Sequence, residues 1–193
     1  MAAGAASYTI EPTTRVPVRV TFLRMDAPPR EPAPAWPEPV EIVHRRDCTV
    51  AEYRALYETV GADYCWWLRR TMADRDLEVL LKSPAVRITV LRVGGQVAGF
   101  HELDRSAWPT VNISYFGLLS HAIGRGLGRA FLRDAVDTVW GFDARAITVN
   151  TCTADHPRAL PTYLAAGFNV VRTVDEVWDV PNRLGLNLPR SAP

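Results

Sequence analysis

Hydrophobic and polar residues alternate along Val18-Arg19-Val20-Thr21-Phe22, the period of two that turns one face of a strand inward and the other outward. A strand is expected from about Val18 to Met25. Six prolines between Pro28 and Pro39 then exclude helix and inner strand and predict an extended connector. Val40 to His44 alternates again. In Thr49 to Val60 the apolar residues Val50, Tyr53, Leu56, Tyr57 and Val60 follow the i, i+3, i+4, i+7 spacing of an amphipathic helix. A second helix is expected over Asp74 to Leu81, with Pro84 just past its end. Val86 to Val93 and Gln96 to Leu103 flank Gly94-Gly95, a pair suited to the positive φ angles of a tight hairpin. Val111 to Leu118 completes an antiparallel meander.

A helix is expected from the glycines at 124–128 to about Trp140, with Leu127, Phe131, Ala135, Val136 and Val139 on one face. Ala146 to Cys152 reads as a strand. Pro157 to Ala166 reads as a short helix with Gly167 just past its end. Phe168 to Val171 and Glu176 to Val180 read as two final strands. The order predicts an α/β fold of the mixed kind: a central, mostly antiparallel sheet with helices on both faces. We expect an N-terminal strand plus connector over 1–38, a main domain over 39–181 and a C-terminal tail over 182–193.

Composition narrows the class. The chain has 193 residues, 48% hydrophobic and 22% charged, enough for one domain with a sizeable core. A net charge of +1 offers no field to draw the chain onto nucleic acid or an anionic membrane, so neither partner is expected. The three cysteines, Cys48, Cys65 and Cys152, have no paired spacing, which argues against a disulfide framework and a Cys-based zinc site. Met1 to Ala6 has no basic region leading into an apolar core, and no stretch approaches the ~20 apolar residues of a spanning helix. A cytoplasmic location is expected.

The strongest chemical signal is Gly124-Arg125-Gly126-Leu127-Gly128, which follows a strand and opens a helix. Glycines let the backbone approach a ligand without a Cβ in the way. The first amides of a helix lack internal acceptors, and its dipole favours an anion there. Together these make a cradle for a pyrophosphate, with Arg125 and Arg129 able to add charged contacts. A turn serving only chain reversal is the plainer reading. A Walker loop is excluded because Lys and Ser/Thr are missing. A dinucleotide fingerprint fits poorly after an antiparallel meander.

Three segments in order resemble the GNAT superfamily of acetyl-CoA-dependent N-acetyltransferases, over roughly Val40 to Val180. Tyr115-Phe116-Gly117-Leu118-Leu119 resembles the fourth strand, whose splayed end pairs with the pantetheine arm. Gly124 to Gly128 resembles the Arg/Gln-x-x-Gly-x-Gly/Ala pyrophosphate loop. His156 to Phe168 resembles the late helix Asn-x-x-Ala-x-x-x-Tyr-x-x-x-Gly-Phe. In this chain Ile123 stands at the Arg/Gln position and His156 at the Asn position.

The resemblance implies a cofactor site at Phe116, Gly117, Leu118, Leu119, Gly124, Arg125, Gly126, Leu127, Gly128, Arg129, His156 and Tyr163. It also implies acetyl-CoA as co-substrate, with no metal. Tyr163 takes the position of the acid aimed at the leaving sulfur. The family's usual fourth-strand glutamate has no counterpart in Val111-Asn112-Ile113-Ser114, so Glu102 is the leading candidate for the base. His101, His121 and a water chain stay open. Tyr64, Trp66 and Trp67 lie where the resemblance places the acceptor, and aromatic walls suit an apolar or cationic amine. Core packing is the alternative for these rings. The expected partner is a small-molecule amine, with a homodimer as a further expectation. A peptide or protein acetyltransferase and a non-catalytic acyl-CoA-binding module stay open beside this reading.

Overall fold

A computed structural model describes residues 11–188, so the expectations for Met1 to Ala6 and for the last residues of the tail lie outside the described residues. Its strands are β1 (Thr13–Met25), β2 (Val40–Arg45), β3 (Val86–Val93), β4 (Gln96–Asp104), β5 (Thr110–Leu118), β6 (Ala146–Cys152) and β7 (Asn169–Pro181). The helices are α1 (Val50–Val60), α2 (Leu68–Thr71), α3 (Asp74–Lys82), α4 (Leu127–Trp140) and α5 (Ala159–Ala165). The seven strands form one sheet in the order β2-β3-β4-β5-β6-β1-β7, antiparallel except where β5 meets β6. The mixed, mostly antiparallel sheet expected from the pattern is present.

Two expectations change. The N-terminal strand is not an appendage joined by a linker. β1 lies inside the sheet, hydrogen-bonded to β6 on one side and β7 on the other. The two last strands are one continuous strand, β7, running antiparallel to β1 with a single irregularity at Phe22/Leu23. Val16, Val18 and Val20 are buried against Cys65, Ala154 and Val180, which fixes β1 in the interior. The proline-rich connector must therefore cross from near one edge of the sheet to the other. It does so over α4: Arg133 donates to the Glu31 carbonyl, Arg125 pairs with Glu38, and Trp36 packs beside Leu118 and Leu127.

The pleat of β4 sorts its side chains between two layers. Phe100 and Glu102 turn toward α1, in a core with Tyr53, Tyr57, Leu77 and Leu81. His101 and Leu103 turn toward α4, where Leu132, Val136 and Val139 pack with Ile147 and Phe168. α1 starts at a capping box in which Thr49 accepts from the Glu52 amide and Glu52 accepts from the Thr49 amide, satisfying two orphan donors.

Candidate active site

The parallel ladder between β5 and β6 holds only from Thr110/Ala146 to Ile113/Val149. Ser114 is then left out of register with β4 as well, because Leu103 pairs with Ile113 and Glu102 with Tyr115. Beyond this point β5 and β6 diverge, and a cavity of about 800 Å³ opens between them. Its size is that of a small-molecule site.

One wall is the glycine loop. Gly124 and Gly126 have φ of 83° and 81°, angles that only glycine adopts without strain. Gly126 is the N-cap of α4 and no side chain caps the helix, so its first amides stay available beside the cavity. Gly124, Gly126, Gly128 and Arg129 line the cavity, as do Phe116, Gly117 and Leu118 of β5. Gly117 is glycine for space: a Cβ there would run into Val60 and reach the Trp66 ring at 3.3 Å.

Three residues expected in the cofactor site do not reach its surface. Leu127 is fully buried beside Phe131. The Leu119 amide donates to the Ala98 carbonyl, and its side chain packs toward the α1 core. Arg125 turns away to pair with Glu38 at 2.5 Å, which leaves Arg129 as the loop's cation on the cavity. Spacing treats the two arginines alike. The connector, remote in sequence, separates them.

Tyr163 and His156 stand on the facing wall. The Tyr163 ring packs against Phe116 and Phe168, with ring centres 6.3 and 5.9 Å away. Burial, with a smaller effect from Asp155, pushes its pKa above the ordinary tyrosine value, so the hydroxyl keeps its proton. The Arg158 amide donates to His156 Nδ1 at 3.0 Å, which makes the neutral ring a donor through Nε2.

Tyr64, Trp66 and Trp67 come together on the cavity wall in the segment between α1 and α2. Trp66 also packs on Tyr57 and Tyr115, at 5.3 and 5.1 Å between ring centres, so this ring serves both wall and core.

Glu102 is placed differently from the sequence expectation. It is fully buried, accepts from the Tyr53 hydroxyl, and is bridged by Arg69 Nη2 at 2.7 Å. Burial first, and then the Glu102 charge, raises the Tyr53 pKa, so that hydroxyl stays a donor. The carboxylate does not line the cavity; it ties β4 to the helices that carry the aromatic segment. Of the other candidates, His101 lies on the opposite face of β4, 3.8 Å from Asp134, and burial lowers its pKa. His121 is exposed near Glu38 and Arg125, away from the cavity.

Sequence reasoning did not reach Asp155, Glu176 and Trp178, which also line the cavity. Asp155 accepts from Trp66 Nε1 (3.2 Å), Thr151 Oγ1 (2.8 Å) and the Cys152 amide (2.9 Å). Glu176 accepts from Trp178 Nε1 at 2.8 Å. No motif marks them: Asp155 meets Trp66 only across the fold, and Glu176 reaches the cavity only through the pairing of β7 with β1. Cys65 and Cys152 border the cavity too, and burial followed by Asp155 pushes their thiols up to about 11 and about 12. Neither is a thiolate nucleophile near neutral pH.

Residues 46–168 match the Acetyltransferase (GNAT) family, and the chain belongs to that family. Among curated proteins no sequence relative is found. Several solved structures share the fold. A GCN5-related N-acetyltransferase from Sphaerobacter thermophilus is 23% identical with a TM-score of 0.54, over 89% of this chain and 53% of that one. A GCN5-related N-acetyltransferase from Kribbella flavida is 17% identical with a TM-score of 0.58, over 83% and 58%. An aminoglycoside acetyltransferase from a soil metagenome is 13% identical with a TM-score of 0.53, over 66% and 87%. The chain thus spans little more than half the length of the first two structures. Among the described residues, no helix is long and apolar enough to cross a membrane.

Proposed function

We propose that this chain transfers an acetyl group from acetyl-CoA to a primary amine of a small molecule, by direct attack while both are bound. One observation carries the reading: the divergence of β5 from β6 opens a single cavity onto which the uncapped start of α4, the free edge of β5 and Tyr163 all face. The residues fit the co-substrate. Backbone amides at 124–128 and Arg129 would hold the pyrophosphate, and the edge of β5 at Phe116 to Leu118 offers main-chain groups to the pantetheine arm and acyl carbonyl. Bound there, acetyl-CoA supplies an activated acyl group.

The protonated thiols of Cys65 and Cys152 support direct attack over an acyl-cysteine route. Tyr163 donates a hydrogen bond to the sulfur as charge develops on it. Its raised pKa makes full proton transfer to a thiolate, with a reference value of about 8.5, more uphill than an ordinary tyrosine would. Glu102 acts as a positioning residue through Arg69. The acceptor's proton leaves by way of Asp155, a carboxylate that lines the same cavity as Tyr163.

The walls on several sides favour a small acceptor over a protein chain. We take the whole sheet, β1 included, as one unit working in the cytoplasm. A homodimer has a ready edge in β7, where Val170, Val171 and Val177 are exposed. The deciding experiment combines calorimetric titration with CoA and release of free thiol from acetyl-CoA in the presence of an amine panel. Tight CoA binding with amine-dependent thiol release is expected. Binding with no release for any amine would leave a non-catalytic acyl-CoA-binding module instead.

A further inference from the structure

The charged residues of the cavity wall sort by position. Arg129 and Arg158 stand at the starts of α4 and α5. The two carboxylates lie elsewhere, Asp155 in the β6–α5 turn and Glu176 on β7. β1 runs between them: its Val18 pairs with Glu176, and its Val20 pairs with Cys152 just before the turn that carries Asp155. Two strand spacings set the carboxylates on the order of 10 Å apart.

Each carboxylate is oriented by an indole N–H, Trp66 on Asp155 and Trp178 on Glu176. An ionised carboxylate has room for about four hydrogen bonds. Glu176 Oε2 takes one from Trp178, and among the described residues Oε1 takes none and no cation pairs with either carboxylate. The neighbouring wall is aromatic: Tyr64 and Trp67 present rings to it, while the Phe22 ring is already covered by Arg172 at 4.3 Å. Ring faces attract cations, and a carboxylate closed into such a wall by a neutral ligand loses its water without gaining a partner.

Resting on the acetyl-transfer reading above, we infer that the acceptor is a dicationic amine. Its reacting ammonium is received at Asp155, and a second positive group is held at Glu176 on an apolar spacer of roughly 10 Å. A monocation would leave one carboxylate unmatched. An amine bearing a carboxylate would set like charges against Glu176.

A series of equal length and graded charge tests this: 1,7-diaminoheptane, heptylamine and 7-aminoheptanoate. Thiol release from acetyl-CoA gives turnover, and quenching of the cavity tryptophans gives binding without turnover. The diamine is expected to bind best, with KM or Kd rising roughly 10- to 100-fold to heptylamine and further to the amino acid. Glu176→Gln keeps an acceptor for Trp178 and removes the charge. It should erase the diamine's advantage over heptylamine and leave the KM for acetyl-CoA unchanged. Glu176→Lys should invert the order and admit 7-aminoheptanoate. Equal affinities across the series, or a diamine advantage that survives Glu176→Gln, would overturn the inference. If the diamine binds through Glu176 but no thiol is released, the dication site stands and the acetyl-transfer reading falls.

Discussion

At one end of the cavity the backbone does the work. Gly124, Gly126 and the uncapped first turn of α4 present amides within a few consecutive residues, and Arg129 adds one charge. At the other end the wall is made of side chains from four separate places: the α1–α2 segment, β1, the β6–α5 turn and β7. The first end suits a ligand part common to every reaction of the family, because a pyrophosphate needs only donors and positive φ angles. The second suits whatever acceptor this chain takes, because indole, phenol and carboxylate groups discriminate by charge and shape. Family membership therefore speaks to the first end, while the proposed acceptor site rests on contacts between distant segments of this chain.

Substitutions that act at one end alone test the division. The largest effect is expected at Gly126. Valine there must adopt a φ near 81°, so the loop shifts and its amides leave register. Calorimetry should show CoA affinity falling at least ~100-fold with little change in Tm, since α4 stays packed. Wild-type affinity would remove the cradle from the account. Gly128 lies within α4, with only Leu118 Cδ1 at 3.6 Å from an added Cβ, so Gly128→Ala should cost far less.

Glu102→Gln comes next, and it reads out in stability. Arg69 would be left charged and unpaired in a buried setting, which costs about 3–5 kcal/mol and loosens the aromatic segment. Denaturant unfolding should show the loss, and acceptor KM should rise while acetyl-CoA KM holds. Replacing Arg69 by Met in the same chain should recover part of the stability. A stable Glu102→Gln enzyme with a displaced pH–rate profile would return Glu102 to the role of base.

Tyr163→Phe keeps the ring against Phe116 and Phe168 and removes one hydrogen bond to sulfur. We expect kcat to fall roughly 10-fold with both KM values unmoved. Log kcat/KM should rise with pH toward the acceptor's own pKa, because the neutral amine is the nucleophile. Loss of the Tyr163 proton cannot cut into that rise until above the ordinary tyrosine value near 10, given the upward shift. A wild-type fall centred below pH 9 that disappears in Tyr163→Phe would contradict this assignment.

The smallest effect separates the paired arginines. Arg129→Ala should weaken CoA binding by about 10-fold, whereas Arg125→Ala, already held by Glu38, should change it by no more than about 2-fold. Equal losses would mean that the connector releases Arg125 when cofactor binds.

Local pattern determined the elements and the part of the site made from consecutive residues. The 3.6-residue spacing of α1 and α4, the paired glycines of the β3–β4 hairpin and the glycine loop before α4 are short-range signals, and the structure reproduces them. The aromatic segment at 64–67 was legible as a dense local cluster, and Tyr163 through the resemblance of His156 to Phe168 to the family's late helix. Tertiary structure decided the rest. Alternation marked Val18 to Met25 as a strand, but its seat between β6 and β7 depends on hydrogen bonds to residues more than 120 positions away. The same long pairings bring Glu176 to the cavity beside a turn on another strand. The pleat of β4 then decides that Glu102 faces Tyr53 and Arg69 while its neighbour His101 faces Asp134. A carboxylate's chemistry depends on what lies within a few ångströms of it, and in this chain those neighbours come from distant segments that only the folded sheet brings together.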